Sequence, residues 1–503
     1  MTPLRRDSLI LAAILGLAAA LRLVGLPSRG TWDDDQGYAL LDMLHWVRDG
    51  QVPLIGPVSS IGTAHHGVGF YWILAPSAFL TDADPVAAAA TLAVVGVAGV
   101  AATWWLGRTV RGPLAGHVAG LAMAVSPSAI SASTFVWNSN IVGPAAALAT
   151  AAGWHAWRTR RARWWLVAAV GTLFMLQGHL LAAVAVPPVL VLLLADVWRR
   201  PRPDRPKMLV PAAGFVAIIA AGYVPLLVYE LRNNFHEIAS IRRYFAEPGV
   251  PGGPPLILRP LIVLWRIEVW PVAGPVPSAL LGGLPAAILA IAALVAAATG
   301  TRQISRTFGR WAVATVAWAV LGLTIISPGL AMFTPGLPND QYHAWLDPIV
   351  FAAIGVAATR LAEEVRAPVG RTSAAAVVVG CVALSIASLP PLSSPDGGWP
   401  QAAATAARVR AESNGQPISV AGVAKSGAAL AFPLTRNGPP VTQVSGSAVL
   451  VVTCDRLFER SIGAACGGPA EMEVARRLGF PVARFVDRIE DGPRRVICVF
   501  ARQ

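Results

Sequence analysis

The stretch "SLILAAILGLAAALRLVGLPSRGTWDDD", residues 8–35, joins two things that rarely meet. Residues 8–26 form an apolar run long enough to cross a hydrocarbon core as a helix. Just beyond it stand three consecutive carboxylates, Asp33, Asp34 and Asp35. The run lacks a small-residue cleavage site and many similar runs follow, so it reads as a retained helix and not a signal peptide. Of the 503 residues 55% are hydrophobic and only 13% charged, whereas soluble domains carry about a quarter charged. The fold class is therefore an all-α polytopic membrane protein.

Eleven spans are predicted: 8–26, 85–107, 113–130, 140–157, 164–178, 180–198, 208–228, 276–299, 310–327, 343–361 and 372–389. Arginines gather in alternate connections: Arg5 and Arg6; Arg108 and Arg111; Arg158 to Arg163; Arg199 to Lys207; Arg302 to Arg310; Arg360 to Arg371. The short connections of the other set (131–139, 178–179, 328–342) hold no Lys or Arg. This alternation predicts a cytoplasmic N-terminus, and the Ala, Arg, Gly and Pro bias of a GC-rich bacterial genome makes a bacterial inner membrane the expected location. The net charge of +13 is thus a topology signal spread along the chain, and no nucleic-acid partner is expected. Lysine occurs only twice, at Lys207 and Lys425.

Two long connections fall on the external side, 27–84 and 229–275. In the first, Leu40, Leu41, Leu44 and Val47 recur at helical spacing, which predicts an amphipathic helix in the interface. "HHGVGFYWILAPSAFL" (65–80) predicts a second such helix or a half-span. The transmembrane part is taken as 1–389. The turn-rich "LPPLSSPDGGWP" then leads into 390–503, which reads as a small external α/β domain. Its strands are expected in "PISVAGV", "SAVLVVTC", "VARFVDRI" and "RVICVFA", its helices in "PQAAATAARVRAES" and "AEMEVARRLG". Cys454, Cys466 and Cys498 lie in it. An external position permits a disulfide, and Cys454–Cys466 is the expected pair.

Several polar groups meet at the external face. Two charges about 6 Å apart repel by about 0.7 kcal/mol in water and about 3 at an effective dielectric near 20. Near lipid, the Asp triplet should therefore raise a pKa or recruit a cation, as suits a general base. A plainer reading makes it a solvated helix start with Asp as N-cap. His65 and His66 suit a metal or phosphate, or a structural pair. Asn138, Asn140, Gln177 and His179 sit at span ends, where polar groups bind substrate or satisfy backbone. Tyr342, His343 and Asp347 open the tenth span, as interface anchors or as site residues. Arg242 and Arg243 are external arginines that suit an anionic ligand such as a lipid phosphate.

The acidic cluster, followed in order by "GYALLDML", "DGQVPLIGPVSSIG", "HHGVGFYWILA", "VWNSN", "LQGHL" and "QYHAWLDPIVF", resembles the GT-C superfamily. More narrowly, it is similar to bacterial glycosyltransferases related to protein O-mannosyltransferases and to the lipid A aminoarabinose transferase (families 39 and 83). The resemblance covers residues 8–390. It implies a sugar donor carried on a polyprenyl phosphate, with a lipid, glycan or protein hydroxyl as acceptor. It places the family's acidic pair on Asp34–Asp35, or on Asp35–Gln36 in the other register. Asp35 belongs to both and is the expected base. His65 and His66, Asn138 and Asn140, and Tyr342 and His343 fall on its later signatures. Gln177 and Gly178 replace a Lys-Gly pair before His179. Two alternatives stand for cofactors: none, or a divalent cation (Mg or Mn) held by Asp34, Asp35 and His66. Two other functions also stand: a transporter or flippase of lipid-linked saccharides, and a non-catalytic membrane scaffold. A transporter would carry ionisable groups near the midplane and repeated halves, and this sequence has neither.

Overall fold

The computed structural model describes residues 3–59, 64–246, 254–274, 280–331, 340–480 and 484–502. Helices occupy all eleven predicted spans: α1 (Pro3–Leu23), α4 (Pro85–Arg111), α5 (Pro113–Val125), α6 (Val142–Thr159), α7 (Trp164–Gly178), α8 (Val186–Arg199), α9 (Leu209–Gly222), α13 (Leu280–Ala298), α14 (Gln303–Ile326), α15 (Asp347–Glu364) and α16 (Val369–Ala387). Among the described residues, six stretches are long and apolar enough to cross a membrane: Pro85–Arg111, Leu180–Arg199, Arg202–Gly222, Gln303–Ile326, Gln341–Glu364 and Val369–Ala387. Two predicted spans are broken by proline. Helix α5 stops before Ser126–Pro127, and 208–228 divides at Tyr223, where Pro225 opens α10 (Val224–Arg232). Proline has no N–H to give the preceding turn, so it starts a helix more readily than it continues one.

The arginine-bearing ends gather on one rim. Asp7 of α1 pairs with Arg108 and, at 2.6 Å, with His117. Arg111 of α4 reaches Glu364 at 2.7 Å and Glu363 at 3.2 Å, and Arg302 reaches Glu363 at 3.1 Å. Inside the bundle, small residues let backbones touch, as is usual where lipid supplies no hydrophobic drive between helices. A Cβ on Gly355 would lie 2.3 Å from the Ala115 carbonyl oxygen, and one on Gly309 2.2 Å from the Ala297 carbonyl carbon.

The connection 27–84 folds into α2 (Asp34–Asp49) and α3 (Gly69–Thr81), as the periodicity predicts. The connection 229–275 is largely helical. It forms α11 (His236–Ala246) and α12 (Arg259–Ala273), and α12 is buried with Arg266 and Glu268 inside. Its partners are span ends: the Pro271 oxygen accepts from Ser126 at 2.7 Å, the Val272 oxygen from Ser385 at 3.1 Å, and Arg266 donates to the Leu330 oxygen at 2.8 Å. Helix α12 therefore lies across the rim opposite the arginines. Arg266 and Glu268 make the segment look polar in sequence, yet Val263, Ile267, Val269 and Val272 give it an apolar surface to bury.

Residues 388–397 lead to a four-stranded sheet of order β1-β2-β4-β3, with β1 (Ile418–Val423), β2 (Val449–Asp455), β3 (Arg484–Asp491) and β4 (Arg495–Ala501). Strands β1 and β2 run parallel; the other pairs are antiparallel, with Val451 opposite Val499. Every residue of β2 is buried, as a central strand covered on both faces must be. One face packs on α17 (Gly398–Glu412) and α18 (Ala428–Arg436), through Val409, Leu430 and Leu434. The other carries α19 (Pro469–Arg477), Phe480 and the expected Cys454–Cys466 disulfide; Cys381 and Cys498 are free and buried. The sequence reading did not anticipate α18, whose nine residues include Pro433.

Candidate active site

The Asp triplet opens α2, and each carboxylate has a different task. Asp33 is the N-cap: it accepts from the Asp35 N–H at 3.0 Å, while its own N–H donates to Gln36 Oε1 at 2.8 Å. This reciprocal arrangement satisfies two of the helix's orphan donors. It gives Gln36 a structural role at the position where the second register would need an acid. Asp34 turns outward from the membrane part and accepts from the Ala428 N–H at 2.7 Å, at the start of α18. The nearby Trp137 indole and Lys425 both favour the charged form of Asp35.

Burial raises all three pKa values. For Asp33 it acts first and the Asp35 charge second, against the opposing Arg494, and pushes the carboxyl to about 6. For Asp34 burial outweighs the hydrogen bond from Ala428. For Asp35 burial and the Asp34 charge outweigh Lys425 and Trp137. Half-buried carboxylates side by side are thus kept more basic than in water.

A stack of rings comes from three other segments. His66 and His179 have centroids 5.0 Å apart, and His179 and Tyr342 4.6 Å. His179 Nδ1 accepts from the Leu181 N–H at 3.1 Å, so a neutral ring carries its proton on Nε2. Burial, and then His179, hold His66 well below the ordinary imidazole range. Among the described residues its Nδ1 has no hydrogen-bond partner. His65 points away: its Nδ1 is 2.9 Å from Glu237 Oε1, which ties the first connection to α11. A cavity of about 110 Å³ is lined by Trp137 together with Arg22, Asn140, Trp270, Gln341 and Asp347.

Other candidates serve the backbone. Asn138 donates to the Gly178 oxygen at 2.6 Å and Asn140 to the Phe135 oxygen at 2.8 Å. Gln177 accepts from the Gly69 N–H at 2.9 Å and donates to the Gly222 oxygen at 3.0 Å, a strut between α3, α7 and α9. His343 is buried with Trp270 at 6.2 Å. Arg242 and Arg243 are exposed on α11. Asp34, Asp35 and His66 do not converge among the described residues; the one convergent trio is Cys454, Cys466 and Glu471, whose sulfurs form the disulfide. The carboxylates instead face Trp137, the Ala428 N–H, Arg494 and Lys425, a donor set that does not fit a three-ligand cation site.

Three site residues escape the sequence reading: Trp137, Lys425 and Arg494. Arg494 bonds Asp455 at 2.8 Å and reaches Asp33 at 3.5 Å. One signal was available, since Lys425 is one of only two lysines in the chain.

Residues 65–229 match a family model described as dolichyl-phosphate-mannose-protein mannosyltransferase. No curated protein matches the sequence. Among solved structures, apo ArnT from Cupriavidus metallidurans aligns at TM-score 0.63 with 15% identity, covering 97% of each chain. ArnT bound to undecaprenyl phosphate aligns at 0.60 with 15% identity, also over 97% of each. AglB from Archaeoglobus fulgidus, in complex with an inhibitory peptide and a dolichol-phosphate, aligns at 0.50 with 11% identity, over 91% of this chain and 70% of that one. The family match takes in His66 and His179 but spans only about a third of the chain, and the likeness to ArnT shows a shared GT-C-type fold over nearly its whole length.

Proposed function

We propose that the protein transfers a sugar from a polyprenyl-phosphate carrier to an acceptor hydroxyl at the external face of a bacterial inner membrane. The observation that carries this reading is Asp35, a half-buried carboxylate of raised basicity at the start of α2, in a structure that also stacks the rings of His66, His179 and Tyr342. Asp35 takes the hydroxyl proton as the acceptor oxygen attacks the anomeric carbon from the side opposite the phosphate. The new C–O bond forms, the anomeric carbon–phosphate oxygen bond breaks with its electron pair going to the phosphate, and the configuration inverts. The leaving phosphate needs donors and not an acid; His179 Nε2–H is one. The lipid carriers in the ArnT and AglB structures support this choice of donor class.

The test is Asp35→Asn in the purified full-length protein. Loss of a positioned base costs about 10²- to 10⁴-fold in turnover, and membrane insertion and folding should be unchanged. Wild-type turnover in this variant, with a polyprenyl-phosphate sugar as donor, would remove Asp35 as the base.

A further inference from the structure

Arg22, Trp270 and Asp347 have no part in the transfer step, yet all three line one cavity of about 110 Å³. At about 10–15 Å³ per water this holds about seven to eleven waters, or one sugar ring in their place. Its walls come from two directions. Trp270 belongs to α12, which is tied to the span ends where Ser126 donates to the Pro271 oxygen at 2.7 Å. Phe135 and Trp137 belong to the segment after α5, which presses on the start of the first external connection. A Cβ on Gly30 would lie 2.5 Å from the Thr134 oxygen and 2.8 Å from the Phe135 Cβ. Phe135 also lines a smaller cavity with Trp32 and Gln36. The larger cavity therefore adjoins the residues that open α2, with Phe135 as the shared wall.

The lining offers donors, an acid and a flat apolar face. Arg22 is fully buried, and its hydrogen bonds among the described residues go to neutral oxygens. Its Nε donates to Ser133 Oγ at 3.3 Å, Nη1 to the Ala18 and Ala124 oxygens at 3.2 and 2.9 Å, and Nη2 to the Met123 oxygen at 3.1 Å. A guanidinium carries five N–H groups, so one on Nη2 remains for a ligand. Trp270 is only 9% exposed, and its indole N–H has no acceptor among the described residues. A buried donor without an acceptor is costly, so a ligand oxygen here is favoured. Asp347 adds a buried carboxylate at the start of α15. Phe135 and Trp137 lie nearly parallel, with ring centroids 5.9 Å apart and planes 25° apart.

These groups select by charge and by shape. An anion would meet the Asp347 carboxylate and a cation the Arg22 guanidinium. A ligand that bears neither charge, but both donates and accepts hydrogen bonds, escapes both penalties. The aromatic faces favour a ring with apolar C–H groups on one side. An uncharged sugar ring meets each condition, since its hydroxyl oxygens accept from Arg22 and Trp270 and its hydroxyl protons go to Asp347. We infer that this cavity holds one uncharged sugar ring, and that Arg22 and Asp347 together discriminate against amino sugars and uronic acids. This rests on the carrier-linked transferase reading, which brings a sugar to this end of the bundle on the donor and, where the acceptor is a glycan, on the acceptor too.

The test is saturation-transfer difference NMR on the full-length protein in nanodiscs. The uncharged probes are the methyl pyranosides of mannose, glucose and galactose; the charged ones are mannosamine and mannuronate. At least one uncharged probe should bind, and the charged sugars about tenfold more weakly or less. Trp270→Leu keeps apolar bulk but removes the N–H and the flat face, and should weaken binding about tenfold. Asp347→Asn leaves Arg22 without that acid in the wall. It should raise mannuronate to the level of the uncharged sugar or above, a gain that misfolding cannot imitate. Polyprenyl-phosphate mannose should displace the pyranoside if the cavity takes the donor's ring, and leave it in place if it takes the acceptor's, with undecaprenyl phosphate as the sugar-free control. Either result supports the inference and tells the two sources apart. No binding of any uncharged probe to wild type, or equal binding of charged and uncharged sugars, would overturn it and leave Asp35 as the base untouched. Wild-type turnover in Asp35→Asn would remove that base and leave the sugar binding in place.

Discussion

Gly37→Ala is the substitution for which local and tertiary physics disagree most. Gly37 lies inside α2, where alanine should stabilise a helix by about 1 kcal/mol. Across the interface, however, the new methyl would sit 2.1 Å from the Ala428 oxygen, 2.3 Å from its carbonyl carbon and 2.7 Å from the Ala429 nitrogen. All three are backbone atoms, so no side-chain rotation relieves the clash. The start of α18 must retreat by about 1 Å, which breaks two bonds. One is the Ala428 N–H to Asp34, a charged acceptor; such a bond contributes about 1.5–3 kcal/mol. The other is the Trp32 indole to the Ala429 oxygen, which contributes about 1 kcal/mol. After the helix gain is subtracted, docking should weaken by about 1.5–3 kcal/mol. Native-state proteolysis of the connection 388–397 in the full-length protein reports the undocked population when opening is fast. Cleavage should accelerate about 10- to 100-fold, at 1.4 kcal/mol per tenfold. Unchanged or slower cleavage would mean that α18 is not seated on α2 as described.

Two further outcomes follow from the site and the sheet. Asp35 acts as a base only when ionised, and its pKa is raised, so kcat/KM should fall on acidification at a pH above the ordinary carboxylate range. Trp137→Phe removes an indole N–H that favours the charged form; the acidic limb of the pH–rate profile should then move to higher pH, and a downward shift would contradict that role. In the sheet domain, Cys454–Cys466 closes a loop with a sequence separation of 12, which stabilises by about 3 kcal/mol. Cys454→Ser should lower the denaturant midpoint of this domain by a matching amount. Reductant should do the same to wild type but add nothing to the variant.

The spans were legible because lipid allows few backbone solutions, and a long apolar run leaves only one of them. The four strands were legible for a related reason, since β-branched runs bounded by turn residues have few other uses. Helix α12 was not, because two charged residues concealed a face that becomes apolar only when α12 lies across the span ends. Helix α18 was not, because nine residues with an internal proline carry too weak a period. At the site, the triplet and the histidines were visible as chemistry, but their division of labour was not. Asp33 and Gln36 turn out to cap a helix, and Gln177 and Asn138 to hold backbone, since only the fold reveals which orphan N–H and C=O groups lie within reach.

The sequence by itself determined that this chain is a membrane protein, because hydropathy acts on every residue wherever it sits. Only the tertiary structure decided that the Ala428 N–H, 394 residues from Asp34 in the chain, comes to donate to its carboxylate. That juxtaposition depends on a glycine in α2 making room for a helix start in another domain, a steric fit that no local pattern encodes.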